Sequence, residues 1–124
     1  MTRLHHVNVV VPPGGTEQVI GFYELLGLTR VAKPAEGVSP SGAWFAFPGS
    51  DQQVHVSERP GDRHPDQHFA VVVDDFDGIV TALRDAGHPF ARKPDVLGAR
   101  RGDTADPFGN AVEVLEPAGS FRAG

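Results

Sequence analysis

The sequence contains no cysteine, which excludes a disulfide framework, a thiolate nucleophile and a cysteine-ligated zinc site. Apolar stretches such as the valines at 9–11 and 71–73 are short, whereas a membrane helix needs about 20 apolar residues. Residues 1–6 also lack the apolar segment of a signal peptide. We therefore expect a cytoplasmic protein that has no membrane partner.

Basic residues are fewer than acidic residues, 11 against 16, which gives a net charge of -5. Nucleic-acid-binding proteins usually carry a basic excess or a basic stripe, and the densest basic clusters here are only 92–93 and 100–101. No nucleic-acid partner is expected. The 124 residues, 40% of them hydrophobic, are enough for one compact domain or for two small halves that share a core.

The pattern of hydrophobic residues predicts the order strand–helix–strand–strand–strand, and the chain repeats that order. In the first half the strands are 4–11, 28–31, 44–47 and 53–57, and a helix runs from an expected N-cap at Thr16 to Gly27. After a polar linker at 58–66, the second half has strands at 68–73 and 111–115 and a helix from Phe76 to Gly87. Its middle strands, at 89–91 and 97–105, are short or weakly patterned.

The two halves also match in individual residues. Three matching pairs lie at nearly constant separations, which are 62 residues for His6 and His68, 58 for His55 and Glu113, and 60 for Gly27 and Gly87. The sequence therefore indicates duplication of a unit of about 60 residues.

Alternation along the strands places four metal-binding residue types at equivalent polar positions, one per strand: His6, His55, His68 and Glu113. One interpretation is that these are unrelated surface or hydrogen-bonded residues. The other is a divalent metal site, because imidazole and carboxylate ligands suit Zn, Ni, Co, Mn or Fe. Spacing alone leaves both interpretations open.

Four segments resemble the vicinal oxygen chelate superfamily, which includes glyoxalase I, methylmalonyl-CoA epimerase, fosfomycin resistance enzymes, extradiol dioxygenases and bleomycin resistance proteins. They are LHHVNV at 4–9, GFYELLGL at 21–28, HFAV at 68–71 and DPFGNAVE at 106–113, and the resemblance extends over about residues 3–117. It implies an α+β fold of two βαβββ modules that form a cupped mixed β-sheet. The expected organisation is one domain over 1–124, with modules at about 3–57 and 67–117.

The resemblance also implies a metal site. His6, His68 and Glu113 match the family's ligand positions, and His5 is the alternative to His6 for the first of them. His55 stands where glyoxalase I has Glu or Gln, so it is either a fourth ligand or a hydrogen-bonded acid/base near the metal. Only one carboxylate then remains, which departs from the glyoxalase I pattern. Glu113 and His55 are the expected catalytic residues.

Other residues are candidates for substrate binding. Asn8 shares the polar face of the first strand, and either Trp44 or its neighbour Phe45 should face the pocket. Arg101, or the adjacent Arg100, could hold a substrate carboxylate through two hydrogen bonds. We also expect a homodimer, because each half is small and has exposed sheet edges.

These residues predict a metal-dependent enzyme, a glyoxalase-like lyase or isomerase in the broad sense, that acts on a small oxygenated substrate. One alternative is an extradiol-type dioxygenase that holds Fe(II) with two histidines and a glutamate. The other alternative is a non-catalytic small-molecule binding or antibiotic resistance protein.

Overall fold

The computed structural model describes residues 2–64 and 66–117 and divides the chain into two compact units, residues 1–63 and residues 64–124. Each unit contains one helix and one four-stranded mixed sheet. No helix in the described part of the chain is long and apolar enough to cross a membrane.

Unit 1 has the order βαβββ. Its elements are β1 (His6–Val11), α1 (Thr16–Leu25), β2 (Thr29–Val31), β3 (Ala43–Ala46) and β4 (Gln53–Glu58). The strand order across the sheet is β1-β4-β3-β2. The β1–β4 pair is parallel and the other two pairs are antiparallel, so β1 and β4 are neighbours despite their separation along the chain.

Unit 2 repeats this arrangement. Its elements are β5 (His68–Val72), α2 (Phe76–Asp85), β6 (Phe90–Val96), β7 (Ala99–Ala105) and β8 (Ala111–Leu115). The strand order is β5-β8-β7-β6, and the β5–β8 pair is the parallel one.

The register of the parallel pairs agrees with the separations found in the sequence. His6 lies opposite Gln53 on β1 and β4, and His68 lies opposite Ala111 on β5 and β8. The same alignment makes His55 and Glu113 equivalent, because each is two residues further along its strand. The prediction of two βαβββ modules is confirmed.

The core of unit 1 lies where the apolar faces of the strands meet the helix. Val54 and Val56 on β4 are buried, as is Val11 on β1. Phe45 on β3 is fully buried, and its ring centroid lies 5.4 Å from that of Tyr23 on α1. Because alternate residues of a strand point to opposite faces, the polar residues of these strands point away from the helix.

Several predicted boundaries were wrong by one or two residues. The first strand begins at His6 rather than residue 4, and the second begins at Thr29 rather than residue 28. The largest error is at 89–91, where the chain forms the seven-residue strand β6, paired with β7 through a two-residue turn at 97–98. Its apolar residues do not alternate with polar ones, so sequence periodicity could not reveal its length.

The expected N-cap of α1 was also wrong. Gly15 occupies the N-cap position and Thr16 is the first helical residue. The side chain of Glu58, at the end of β4, accepts hydrogen bonds from the Gly14 N–H at 2.8 Å and from Thr16 Oγ1 at 2.6 Å. A carboxylate from a neighbouring strand therefore takes the place of a local cap.

Candidate metal centre

Three flat side chains form a stack on the polar face of unit 1. The Trp44 ring lies over His55 with centroids 4.1 Å apart and planes 4° apart, and His55 lies over His6 with a separation of 3.9 Å and an angle of 14°. The three residues come from the neighbouring strands β3, β4 and β1, so the sheet register brings them together. We call this set the Trp44–His55–His6 stack.

His55 is buried in the centre of this stack, with 8% of its surface exposed. Its Nε2 lies 2.7 Å from Gln53 Oε1, and because an amide oxygen only accepts, Nε2 carries the proton. Burial lowers the pKa of His55 to about 4, and electrostatic repulsion from His6, His5 and Lys33 acts in the same direction. His55 is therefore a neutral imidazole at pH 7.

His6 has a second neighbour in His5. Their Nδ1 atoms are 3.0 Å apart, and the ring centroids are 5.2 Å apart in an edge-to-face arrangement. Strand alternation would point consecutive side chains to opposite faces, yet these two rings are in contact. His5 precedes the first residue of β1, so the alternation of the strand does not govern it. When Nδ1 of His6 is the donor to His5, Nε2 of a neutral ring carries the lone pair that a ligand bond needs.

In unit 2, His68 and Glu113 face each other from β5 and β8. His68 Nδ1 lies 2.9 Å from the backbone oxygen of Asp66, and because a carbonyl only accepts, Nδ1 is the donor. Nε2 then carries a lone pair when the ring is neutral, and it lies 3.7 Å from Glu113 Oε2. That distance is too long for a hydrogen bond. The two atoms form an ion pair when the ring is protonated, and each offers a lone pair toward the other when the ring is neutral.

The other oxygen of Glu113 is bound to Arg101 on β7. Arg101 Nη1 donates to Glu113 Oε1 at 2.9 Å, and Arg101 Nε donates to the backbone oxygen of Pro94 at 3.0 Å. Sequence reasoning proposed Arg101 as a substrate clamp and did not find this pairing. The alternation of β7 was the available signal, since it places Arg101 and Asp103 on the face of the sheet that carries Glu113.

The spacing of His68 and Glu113 in unit 2 suits the binding of one divalent metal ion. Two atoms that bind one ion at about 2.0–2.2 Å cannot be more than about 4.4 Å apart, and the 3.7 Å between His68 Nε2 and Glu113 Oε2 satisfies this limit. The hydrogen bond at His68 Nδ1 is also the usual arrangement for a metal-binding histidine.

The imidazoles of His6 and His55 in unit 1 are arranged differently. Ligand lone pairs lie in the plane of the ring, so the nearly parallel rings of His6 and His55 do not point at a common ion. Within either unit, over residues 2–64 and 66–117, no three His, Asp or Glu side chains form a cluster that could hold a metal. Within the described residues, the fit to a metal thus rests on the pair in unit 2.

A cleft of about 220 Å³ opens beside the Trp44–His55–His6 stack in unit 1. Asn8 and Trp44, the two residues predicted there for substrate binding, both line this cleft together with Lys33. Ser57 Oγ donates to Asn8 Oδ1 at 2.7 Å, which fixes the amide and leaves its N–H₂ group for a ligand.

Comparison with known proteins now identifies the family. The sequence profile of the Glyoxalase/Bleomycin resistance protein/Dioxygenase superfamily matches residues 3–114. The chain belongs to this superfamily. No curated protein is significantly similar to it in sequence.

Solved structures of the superfamily share the fold. A Bacillus anthracis protein assigned to the glyoxalase family is 27% identical, with a TM-score of 0.84 over 95% of this chain and 97% of that one. The antibiotic-binding protein TnmS3 from Streptomyces sp. CB03234 is 21% identical, with a TM-score of 0.75 over 95% and 98% of the two chains. The fosfomycin resistance protein FosX from Listeria monocytogenes is 14% identical, with a TM-score of 0.75 over 99% of each chain.

Proposed function

We propose that this protein is a metal-dependent enzyme, a glyoxalase-like lyase or isomerase in the broad sense, whose ligands are His6, His68 and Glu113. The observation that carries the proposal is the pair of acceptor atoms, His68 Nε2 and Glu113 Oε2, that face each other at 3.7 Å. With the His68 ring neutral, both atoms direct lone pairs at the space between them, and a cation there removes their repulsion. Membership in the superfamily supports the assignment of the third ligand to His6.

A bound divalent ion would supply a Lewis acid that polarises oxygen atoms of a small substrate. Glu113 is then both a ligand and, when it detaches, the general base that takes a proton on Oε2. The neutral His55 is a neighbour that orients His6 by stacking, rather than a fourth ligand. Asn8 and Trp44 bind the substrate within the cleft, and Lys33 there favours a substrate with negatively charged oxygen atoms.

A specific observation also favours extradiol-type dioxygenase chemistry as a second candidate. The hydrogen bond between His55 and Gln53 engages Nε2 of His55, and stacking turns the ring away from an ion shared with His6. The remaining set of two histidines and one glutamate is the type that holds Fe(II) in non-haem oxygenases. Iron in the purified protein and oxygen uptake with a catechol would select this candidate over the first.

The metal site is tested by metal analysis of the purified protein and by Co²⁺ titration of the metal-free protein. We expect about one ion per chain in the wild type and little binding in His6→Ala and His68→Ala, because each lacks a neutral imidazole ligand. His88→Ala is the matched control, since His88 follows α2 and is not a proposed ligand. Absence of metal from the wild type, with tight binding of a bulky ligand, would instead indicate a binding protein, as TnmS3 is for an antibiotic.

Glu113→Gln separates the two roles of the carboxylate. The amide keeps the size and one coordinating oxygen but has neither the charge nor the basicity. Turnover of any metal-dependent substrate should decrease more than the metal content does, since general base catalysis contributes about 10²–10⁴-fold. In His6→Ala, by contrast, metal and activity should be lost together. Full turnover in Glu113→Gln would exclude Glu113 as the base.

The organisation of the protein is part of the proposal. We take residues 1–124 as one functional domain, acting in the cytoplasm as a homodimer on a small-molecule substrate. These statements continue the predictions from the sequence.

A further inference from the structure

The Arg101 side chain in unit 2 donates two hydrogen bonds, one to the carboxylate of Glu113 and one to a backbone carbonyl. A salt bridge with Glu113 would need only the first. Arg101 Nη1 donates to Glu113 Oε1 at 2.9 Å, and its Nε donates to the Pro94 backbone oxygen at 3.0 Å. The Arg101 and Glu113 side chains are 22% and 12% exposed, so solvent only partly screens the pair. A planar guanidinium fixed through two different nitrogens has little freedom to turn.

The Pro94 carbonyl is available because the β6–β7 ladder is interrupted at this point. Lys93 pairs with Arg101, and the next pair is Val96 with Ala99, so the register shifts between Lys93 and Val96. Pro94 lies within this bulge. Bulges often occur near functional sites, where they redirect a side chain.

The geometry points to Arg101 as a positioning residue for Glu113, held in place by the bulge in β6. It occupies Oε1, so that the carboxylate presents only Oε2 toward His68. Glu113 therefore offers the metal a single oxygen, which leaves more of the coordination sphere for a substrate. This inference rests on the proposed metal site and names a residue that helps to shape it.

Arg101 affects metal binding in two opposite ways, through the orientation it gives Glu113 and through its own positive charge. Its positioning role can therefore be tested. The positive charge of Arg101 lies beside the carboxylate and repels a divalent cation, so charge alone weakens metal binding. Holding Oε2 in place strengthens metal binding, because the carboxylate needs no reorganisation when the ion arrives. Arg101→Lys keeps the charge but lacks the rigid fork, whereas Arg101→Gln also lacks the charge.

The experiment measures Co²⁺ affinity of the metal-free protein by competition with a chelator. For Arg101→Lys we expect an affinity about 10–100-fold lower than that of the wild type, and a changed Co²⁺ absorption spectrum. Arg100→Lys is the matched control, because the adjacent Arg100 binds Asp77 and Glu116 rather than Glu113. Its Co²⁺ affinity and spectrum should equal those of the wild type.

Thermal unfolding of the metal-free variants shows whether each is folded, and Arg101→Lys provides the answer if Arg101→Gln does not fold. Wild-type affinity and spectrum in Arg101→Lys, together with tighter binding in Arg101→Gln, would show that only charge matters and would overturn the inference. A wild-type protein that binds no Co²⁺ would overturn the proposed function, and the positioning role with it. The two failures are therefore distinguishable.

Discussion

Thr104 is a buried hydroxyl residue in β7 of unit 2. It is 3% exposed, and its Oγ1 has no hydrogen-bond partner in the described part of the chain. A buried polar group without a partner destabilises a fold because it loses its hydrogen bonds to water. Valine has almost the same shape and is also β-branched, so it suits the same strand position.

We therefore expect Thr104→Val to raise the free energy of unfolding by about 1 kcal/mol in a denaturant titration. Thr29→Val is the control, because Thr29 is also in a strand but is exposed to solvent. Its stability should change little. A Thr104→Val protein less stable than the wild type would show that the hydroxyl has a partner such as an ordered water.

At the residue scale, strand alternation predicted which face most of the site residues share. It could not predict their neighbours. The stacking of His55 between Trp44 and His6 depends on the register of three strands, and the hydrogen bond from Arg101 to Pro94 depends on an interruption in the β6–β7 ladder. Register and bulges arise from pairing between distant segments, which a single sequence does not reveal.

The β6–β7 hairpin has an unusual residue in its turn. Leu97 has φ of +49° and is 62% exposed, and the following Gly98 has φ of +79°. Two-residue hairpin turns of this type prefer Asn followed by Gly, because a leucine at positive φ brings Cβ close to the backbone. The turn therefore carries local strain.

Replacing Leu97 with Asn should relieve that strain. We expect the midpoint of chemical unfolding to increase, with a gain of about 0.5–1 kcal/mol in the free energy of unfolding. Leu97→Ala shortens the same exposed side chain without favouring positive φ, so it should give no gain. Equal stability of the two variants would contradict the proposed strain.

At the start of α1, the carboxylate of Glu58 takes the place of a helix cap. Its hydrogen bonds from Thr16 Oγ1 and the Gly14 N–H lower the pKa of Glu58 below its ordinary value of 4.5. Because this pKa is lower in the folded protein than in the unfolded chain, the ionised carboxylate stabilises the folded state at pH values above the ordinary pKa. This stabilisation is lost as the pH decreases through the lowered pKa. Stability from Glu58 is therefore present at pH 7 and absent in strong acid.

Glu58→Gln should lower the melting temperature at pH 7, because the amide accepts a hydrogen bond but has no charge for the helix N-terminus. The difference from the wild type should narrow as the pH decreases below 4.5. Thermal unfolding followed by circular dichroism over this pH range measures the difference in melting temperature. A difference that stays constant with pH would show that the charge of Glu58 contributes nothing.

At the scale of the whole molecule, the prediction of a homodimer can be tested directly. Each unit has only about 60 residues, which is marginal for a stable fold on its own, and its open four-stranded sheet has two edge strands. Light scattering or sedimentation at micromolar concentration should give twice the chain mass of 13.2 kDa. A mass of one chain would contradict the prediction.

The sequence by itself determined the architecture of each unit. Alternating valines, the helix-ending glycines Gly27 and Gly87 and the constant separations between matching residues predicted two βαβββ modules, because these signals are local or repeated along the chain. Positive φ at both glycines, +99° and +84°, gives the physical reason for their place after the helices.

Only the tertiary structure decided what each candidate residue contacts. It placed His55 inside an aromatic stack, put His5 beside His6, and joined Arg101 to Glu113. The stack and the Arg101–Glu113 pair join side chains from different strands, whose positions depend on register, and the place of His5 depends on where β1 begins. Such quantities are set by the packing of the whole unit, so no local pattern in the sequence specifies them.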